Sequence, residues 1–269
     1  MSEQKTTAGG PKMTALVTGA SGGIGAELAR LFAADGHRLV LVARSRDKLS
    51  ALAEELGGRQ GVSARVLAAD LSRTEAPREI FDALQASGVA VDVLVNNAGI
   101  GSYGLFAETD LKSELDLLQI NINALTHLSK LFLPQMIARR RGYILNVGST
   151  AGFQPGPLMA VYYASKAYVL SFSEALANET EGTGVGVTVL CPGPTETGFV
   201  AAAGMEESKL FDRGAMTAHD VAEAGYRGML EGKTIVIPGL RNAFVARAVG
   251  LMPRRMVTKV VRGIQERRS

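Results

Sequence analysis

Short runs of apolar residues alternate along this chain with longer stretches in which apolar positions recur every three or four residues, so strand and helix periods follow one another in turn. Strands are predicted at residues 13–17, 38–42, 64–68, 92–95, 142–147, 185–190 and 234–237. Helical patterns fall after the glycine run at 18–25, then at 46–56, 74–86, about 111–137, about 160–179, and from a Thr217 cap to about 231. This alternation builds a parallel sheet covered by helices on both faces, whose strands read as unbroken apolar runs because neither face meets water. The chain therefore reads as one α/β domain, doubly wound, over residues 13–239. A polar, small-residue segment at 1–12 is expected to be disordered.

In such a sheet, ligands lie beyond the carboxyl ends of the strands, so the polar turns there are where chemistry is sought. The first turn, TGASGGIG, holds Gly19, Ser21, Gly22, Gly23, Ile24 and Gly25. Glycine lets a phosphate approach the backbone, and the helix N-terminus behind it offers free amides and partial positive charge. After the second strand, Ala43 and Arg44 stand where an NAD site would place an acid for the ribose 2′-hydroxyl. A guanidinium suits a 2′-phosphate instead, which favours NADP(H); a plain surface arginine is the alternative. Asp70, before Leu71, could accept from an adenine amino group or cap a helix. The fourth strand runs into NNAG, which turns Asn97, Ala98 and Gly99 toward the same crevice. The sixth ends in CPGPTETGF, where Pro192 and Gly193 fix a turn and Thr195 and Thr197 offer hydroxyls.

The stretch STAGFQPGPLMAVYYASK, residues 149–166, carries the reactive candidates. Tyr162 and Lys166 are four apart, hence neighbours on one helix face. An adjacent ammonium favours phenolate and lowers a phenol's pKa from about 10, which would let Tyr162 serve as a general acid or base. Ser149, at a strand's end, could hold a substrate oxygen between its hydroxyl and the phenol. Asn121 sits beside the apolar stripe of its helix and is placed to point inward. The plain alternative makes Tyr162 and Tyr163 ordinary helix aromatics and Lys166 a solvated charge, and Y-x-x-x-K by itself does not decide between them.

At 269 residues and 46% hydrophobic, the chain is long enough for one large domain. The single Cys191 excludes an internal disulfide framework and a cysteine cluster for zinc, and His37, His127 and His219 are too scattered to suggest a metal site. The opening MSEQKTTAGGPK lacks the apolar core of an export signal, and no run approaches about 18 apolar residues, so a soluble, cytoplasmic protein is expected. The net charge of +3 hides an asymmetry: residues 240–269 hold seven Arg and one Lys against Glu266, a balance of +7, which leaves −4 for the rest. Basicity thus belongs to the tail, and without an aromatic-studded basic groove no nucleic-acid partner is expected.

Taken together, TGASGGIG, NNAG, the serine with YYASK, and PGPTET, in that order, resemble the short-chain dehydrogenase/reductase family in its common single-domain form, with its TGxxxGxG and YxxxK motifs. The resemblance covers about 13–239. It implies a Rossmann-like, seven-stranded parallel sheet and hydride transfer between a nicotinamide and a carbonyl or alcohol. It also implies that Tyr162 is the general acid/base, that Lys166 lowers its pKa while bonding the nicotinamide ribose, and that Ser149 polarises the substrate oxygen. Asn121 would hold a water linking Lys166 to solvent. Gly19, Gly23 and Gly25 match the turn glycines, Asn97 and Gly99 lie in the segment beside the adenosine ribose, and Thr195 and Thr197 lie in the one touching nicotinamide and pyrophosphate. Gly22 departs from the family, which often has serine there.

Tyr103, Phe106, Phe153, Leu158, Met159 and Phe199 are candidate walls of a fairly apolar substrate pocket, and residues 199–214 read as its lid. The expected activity is NADP(H)-dependent interconversion of a carbonyl and an alcohol. A 3-oxoacyl thioester reductase and a non-catalytic NADP-binding sensor are the alternatives. Excess apolar surface on the 111–137 and 160–179 helices points to a homodimer or homotetramer. The tail at 240–269 is amphipathic with a break at Pro253, and could cover the pocket, meet a second subunit or touch an anionic membrane; packing on protein is favoured.

Overall fold

The computed structural model describes residues 12–199, 203, 214–250 and 252–266. The expected disordered segment lies outside them except for Lys12, and so does most of the expected lid. Seven strands form one parallel sheet: β1 (Thr14–Thr18), β2 (Arg38–Ala43), β3 (Ala64–Ala68), β4 (Val93–Asn96), β5 (Gly142–Val147), β6 (Val185–Leu190) and the last strand, Ile235–Val236, in the order β3-β2-β1-β4-β5-β6 and then that last strand. A separate parallel pair, β7 (Thr195–Glu196) with β8 (Met216–Thr217), makes the last sheet strand β9 and gives structure to a segment the periodicity reads only as a turn.

Strand residues alternate between the two faces, and each face has its own core. Ala15, Val17, Leu39, Leu41, Val93 and Val95 pack under α1 (Gly23–Ala34) and α2 (Arg46–Gln60), together with Val221 and Met229 of α7 (Ala218–Leu230). Leu16, Val40, Val42, Leu94 and Ile144 face α3 (Ala76–Ala86), α5 (Leu125–Ala138) and α6 (Ala160–Glu179). The helix expected at 111–137 is not uniform. It comprises α4 (Leu111–Leu118), a π-helical turn (Gln119–Ala124) and α5, with Asn121 inside the π turn. One extra residue per turn rotates the side chains that follow, and such turns recur at functional sites.

The glycine turn is held by its contact with the turn after β4. Gly19 has φ +65, and a Cβ there would lie 2.7 Å from Asn97 Nδ2 and 2.9 Å from Ala98 Cα. A Cβ on Gly25 would meet the Gly19 carbonyl oxygen at 2.5 Å. Into this narrow gap Asn97 donates from Nδ2 to the carbonyls of Thr18 (2.9 Å) and Gly19 (3.2 Å). Thr18 Oγ1 accepts from the amides of Asn97 and Ala98, both at 3.0 Å, and donates to the Val95 carbonyl. Gly22 is extended, with nothing within 4 Å of a Cβ built there.

The tail forms α8 (Leu240–Val249) and α9 (Arg254–Gln265), and Pro253 stands at the break between them. It folds back on its own domain: Val257 and Val261 are buried beside Ala151, Met159 and Tyr163. Leu240, Phe244, Met256 and Val260 face outward.

These packings separate the glycines. Gly25→Ala gains helix propensity yet forces a methyl into the Gly19 carbonyl, so a loss of about 1–3 kcal/mol is expected, the usual cost of overpacking. Gly22→Ser should stay within about 0.5 kcal/mol of the parent. Urea denaturation of the two variants measures both, and equal effects would contradict the packing account.

Candidate active site

A cavity of about 610 Å³ runs along the carboxyl ends of the central strands. Beyond β2 it is walled by Arg44, Ser45 and Lys48, and beyond β3 by Asp70 and Leu71. The glycine turn contributes Gly19, Ser21, Gly22, Gly23 and Ile24, and the turn after β4 contributes Asn97, Ala98 and Gly99. Past β5 and β6 stand Ser149, Tyr162 and Lys166, then Pro192, Gly193, Thr195 and Thr197. Gly25 is not in the wall; it is buried and serves the packing described above.

At the β2 end, Ser45 caps α2 by accepting from Lys48 N (3.4 Å), so a helix N-terminus, Arg44 and Lys48 gather at one place. Burial pulls the Asp70 carboxyl upward, but hydrogen bonds from Ser72 and the charges of Arg44 and Lys112 outweigh it and hold the group below its ordinary value. Asp70 Oδ1 accepts from Ser72 N at 3.0 Å, so it braces its own turn.

At the β5 end, Ser149 precedes a 3₁₀ turn (Thr150–Phe153), accepts from Ala151 N at 3.1 Å, donates to the Pro192 carbonyl at 3.4 Å, and stands beside the Tyr162 phenol. Tyr162 lies one helical turn before Lys166, whose Nζ is 5.7 Å from the phenol ring centre. Lys166 Nζ donates to the Val147 carbonyl at 2.8 Å. Burial pushes the Tyr162 phenol well above the ordinary tyrosine range; the nearby Ser149 hydroxyl opposes this only in part. The expectation that the ammonium lowers this pKa therefore does not hold for the protein alone. Desolvation of the phenolate dominates, and the ammonium is itself destabilised, its pKa lowered by burial to about 8.

Asn121 is buried behind the cavity rather than in its wall. Its Oδ1 accepts from Ile100 N, and its Nδ2 donates to the Ile100 carbonyl, both at 3.0 Å, and to Ser165 Oγ at 3.1 Å. It still approaches Lys166, since a Cβ on Gly99 would lie 3.3 Å from Asn121 Oδ1 and 3.6 Å from Lys166 Nζ.

Among the six expected pocket walls, Met159 and Phe199 line the cavity. Tyr103 packs behind them in the same cluster and donates to the Gln265 carbonyl at 2.6 Å. Leu158 sits at φ +69 and contributes its carbonyl, which accepts from Gly104 N. Phe106 is 66% exposed and Phe153 packs toward Val169, Leu170 and Cys191, so neither walls the cavity. Phe106 lies in a loop and Phe153 ends a single 3₁₀ turn, both too short for periodicity to say which way a side chain turns.

Sequence reasoning missed Lys48, Thr18 and Gln265. Lys48 was visible as a second cation one helical turn from Arg44. Thr18 had only its place before the glycines as a signal, and Gln265 had none, because it reaches the cavity from the far end of the chain. Among the described residues no cluster of His, Cys, Asp or Glu could hold a metal ion, and no helix is long and apolar enough to cross a membrane.

Residues 13–208 match the family model described as short chain dehydrogenase. A very-long-chain 3-oxoacyl-CoA reductase of Phaeosphaeria nodorum is 40% identical over 184 residues, covering 66% of this chain and 54% of that protein. The chain thus spans about half the length of that relative. The NADP-dependent 3-hydroxy acid dehydrogenase YdfG of Salmonella typhi is 37% identical over 222 residues, 79% of this chain and 87% of that one. A solved short-chain dehydrogenase from Sphingobium yanoikuyae in complex with NADPH superposes with a TM-score of 0.80 at 34% identity, covering 89% of this chain and 95% of its own. The sheet order, the cavity at the strand ends and the match over 13–208 agree: this chain belongs to the short-chain dehydrogenase/reductase family.

Proposed function

We propose that the protein is an NADP(H)-dependent oxidoreductase that interconverts a carbonyl and an alcohol on a fairly apolar small molecule. The observation that carries this reading is one continuous cavity with Arg44, Ser45 and Lys48 beyond β2 and Ser149, Tyr162 and Lys166 beyond β5. The residues fit a dinucleotide phosphate. Two cations and the start of α2 suit a 2′-phosphate. The open face at Gly22 and the start of α1 suit a pyrophosphate, and Lys166 suits ribose hydroxyls. Asn97, Ala98 and Gly99 border the adenosine side, and Thr195 and Thr197 the nicotinamide side. An NADPH-bound relative of this fold and an NADP-dependent curated relative support the same choice.

Bound nicotinamide supplies or takes the hydride. Ser149 holds the substrate oxygen, and Tyr162 donates a proton to it as negative charge develops there in reduction, or removes that proton in oxidation. Lys166 keeps a positive charge beside the phenol so that its deprotonated form is tolerated after the proton has left. Asn121, fixed by Ile100 and Ser165, positions the π turn behind Lys166. A 3-oxoacyl thioester is a second candidate substrate, favoured by the 40% identity to a 3-oxoacyl-CoA reductase. Exposed Leu111 and Leu115 on α4 support assembly into a homodimer or homotetramer. The direct test is NADPH consumption against aldehydes, ketones and a 3-oxoacyl-CoA; failure with every compound would shift the reading to an NADP-binding sensor.

Tyr162→Phe should keep fold and NADPH affinity while turnover falls by about 10²–10⁴, the range for a lost general acid. Tyr163→Phe, about 100° round the helix, should keep kcat within a few-fold. Steady-state kinetics of the pair decide the assignment, and a reversed ranking would refute it.

Arg44→Ala should weaken NADPH by about 1.5–3 kcal/mol, the scale of a charged hydrogen bond, and leave NADH nearly unchanged. Calorimetric titration with both nucleotides checks this; equal losses would mean that Arg44 does not meet the 2′-phosphate.

Lys166, with its pKa lowered from 10.5 to about 8, binds fewer protons folded than unfolded between those values, so its burial costs stability below pH 8 and the cost fades as pH rises toward 10.5. The melting temperature of Lys166→Met minus that of the parent should therefore be most positive at or below pH 8 and fall between pH 8 and 10.5. A pH-independent difference would show that the buried ammonium is not strained.

A further inference from the structure

Several polar residues of the cavity wall have no part in the proposed chemistry, among them Thr150, Gln154 and Gln265. Gln265, in the last turn of α9, is fully buried and lines the cavity beside Tyr163 and Met159. It is held from two sides: its carbonyl accepts from the Tyr103 hydroxyl at 2.6 Å, and its Nε2 donates to the Tyr163 hydroxyl. Val257 and Val261, buried on the same helix, seat it. Its Oε1, equally buried, has no hydrogen-bond partner among the described residues. Leaving a buried amide oxygen unpaired is costly, and native structures pair such atoms with protein, water or ligand. Here the helix end is fixed by two tyrosines and two valines, so the amide cannot swing out to solvent without breaking those contacts.

We propose that Gln265 is a specificity-determining residue that offers its side-chain oxygen to a hydroxyl or N–H donor on the substrate, remote from the reacting carbonyl. The proposal rests on the oxidoreductase reading above for its choice of a carbonyl substrate. Preferred substrates are then apolar ketones with one donor group away from the carbonyl, and the apolar counterpart lacking that donor pays for leaving Oε1 unpaired. Sites built to pair a substrate hydroxyl discriminate in this way more strongly than sites that measure only apolar bulk.

The test is calorimetric binding to the full-length protein saturated with NADP⁺, where ketones bind without turnover. The probes are benzophenone, its 2-, 3- and 4-hydroxy derivatives, and the matching methoxy compounds, which accept but cannot donate. For the wild type, at least one hydroxy isomer should bind about tenfold more tightly than benzophenone and than its methoxy counterpart. Gln265→Met keeps length and apolar contact and should bring that ratio to within about twofold, because the hydroxy compound loses its acceptor and benzophenone no longer leaves an amide oxygen unpaired. Equal affinities in the wild type, including no binding of any probe, would overturn the proposal. So would a methoxy compound that gains as much as the hydroxy one, or a preference that survives Gln265→Met. The wild-type comparison needs no variant, so a poorly folding Gln265→Met does not remove the test. If no ketone is reduced with NADPH while the hydroxyl preference stands, the catalytic reading fails and Gln265 remains a recognition residue.

Discussion

A buried ammonium has to be paired with oxygen, and much of the site is arranged around that requirement at Lys166. The side chain is 6% exposed, and its Nζ is held by the Val147 carbonyl at the end of β5. The backbone around it must be thin. A Cβ on Gly152 would lie 2.7 Å from the Lys166 carbonyl oxygen, so the turn after β5 can press directly on α6. Gly99 leaves room for Lys166 Nζ and Asn121 Oδ1 together on the other side. With α6 seated this way, Tyr162 one turn earlier meets Ser149 at the strand end. Tyr162 and Lys166 share α6, and the bond from the buried ammonium to Val147 ties that helix to the strand end that carries Ser149.

A second set of buried polar groups keeps the central strands and their helices in register. Asn96, at the end of β4, donates from Nδ2 to Ser129 Oγ of α5 (3.1 Å) and to Asn146 Oδ1 of β5 (2.9 Å). Asn146 Nδ2 in turn donates to Ser173 Oγ of α6 at 2.9 Å. Both serines return their hydroxyl protons to carbonyls in their own helices. Apolar packing alone would tolerate small slips of a helix along a sheet face, whereas amides buried in a low-dielectric core exact a penalty for any slip that unpairs them. This ladder therefore narrows the positions open to α5 and α6, the helices that carry or back the reactive groups.

The parts of the molecule that were legible in the sequence are those governed by period and by placement at strand ends. Ala15 and Val17 face one layer and Leu16 the other because the strand period is two, so the doubly wound sheet could be read directly. Arg44 and Tyr162 could be located because both follow recognisable strands. What could not be read depends on contacts between distant segments. Phe106 and Phe153 have the composition of pocket walls, but the loop and the 3₁₀ turn that carry them turn one outward and the other into a separate cluster. The state of Tyr162 was misjudged for the same reason: helical spacing shows that Lys166 is near, but only the fold shows how thoroughly the phenol and the ammonium are removed from water. Gln265 is 102 residues from its partner Tyr163, beyond the reach of any periodic signal.

The tail borders a second hollow that adjoins the reactive cavity. This hollow, of about 460 Å³, shares Thr150, Gln154, Tyr163 and Pro194 with the first, and its remaining wall includes Arg241, Val245, Ala246, Val261 and Ile264 of α8 and α9. The reactive end is held by hydrogen bonds to backbone carbonyls and by glycines that admit no side chain, so few substitutions there leave the geometry intact. The tail wall is held mainly by apolar contact, which depends on area and tolerates exchanges of similar volume. Changes in α8 and α9 can therefore reshape the second hollow without moving Ser149, Tyr162 or Lys166. Gln265 belongs instead to the wall of the first cavity, and its two hydrogen bonds give that end of the tail a fixed geometry like that of the reactive groups.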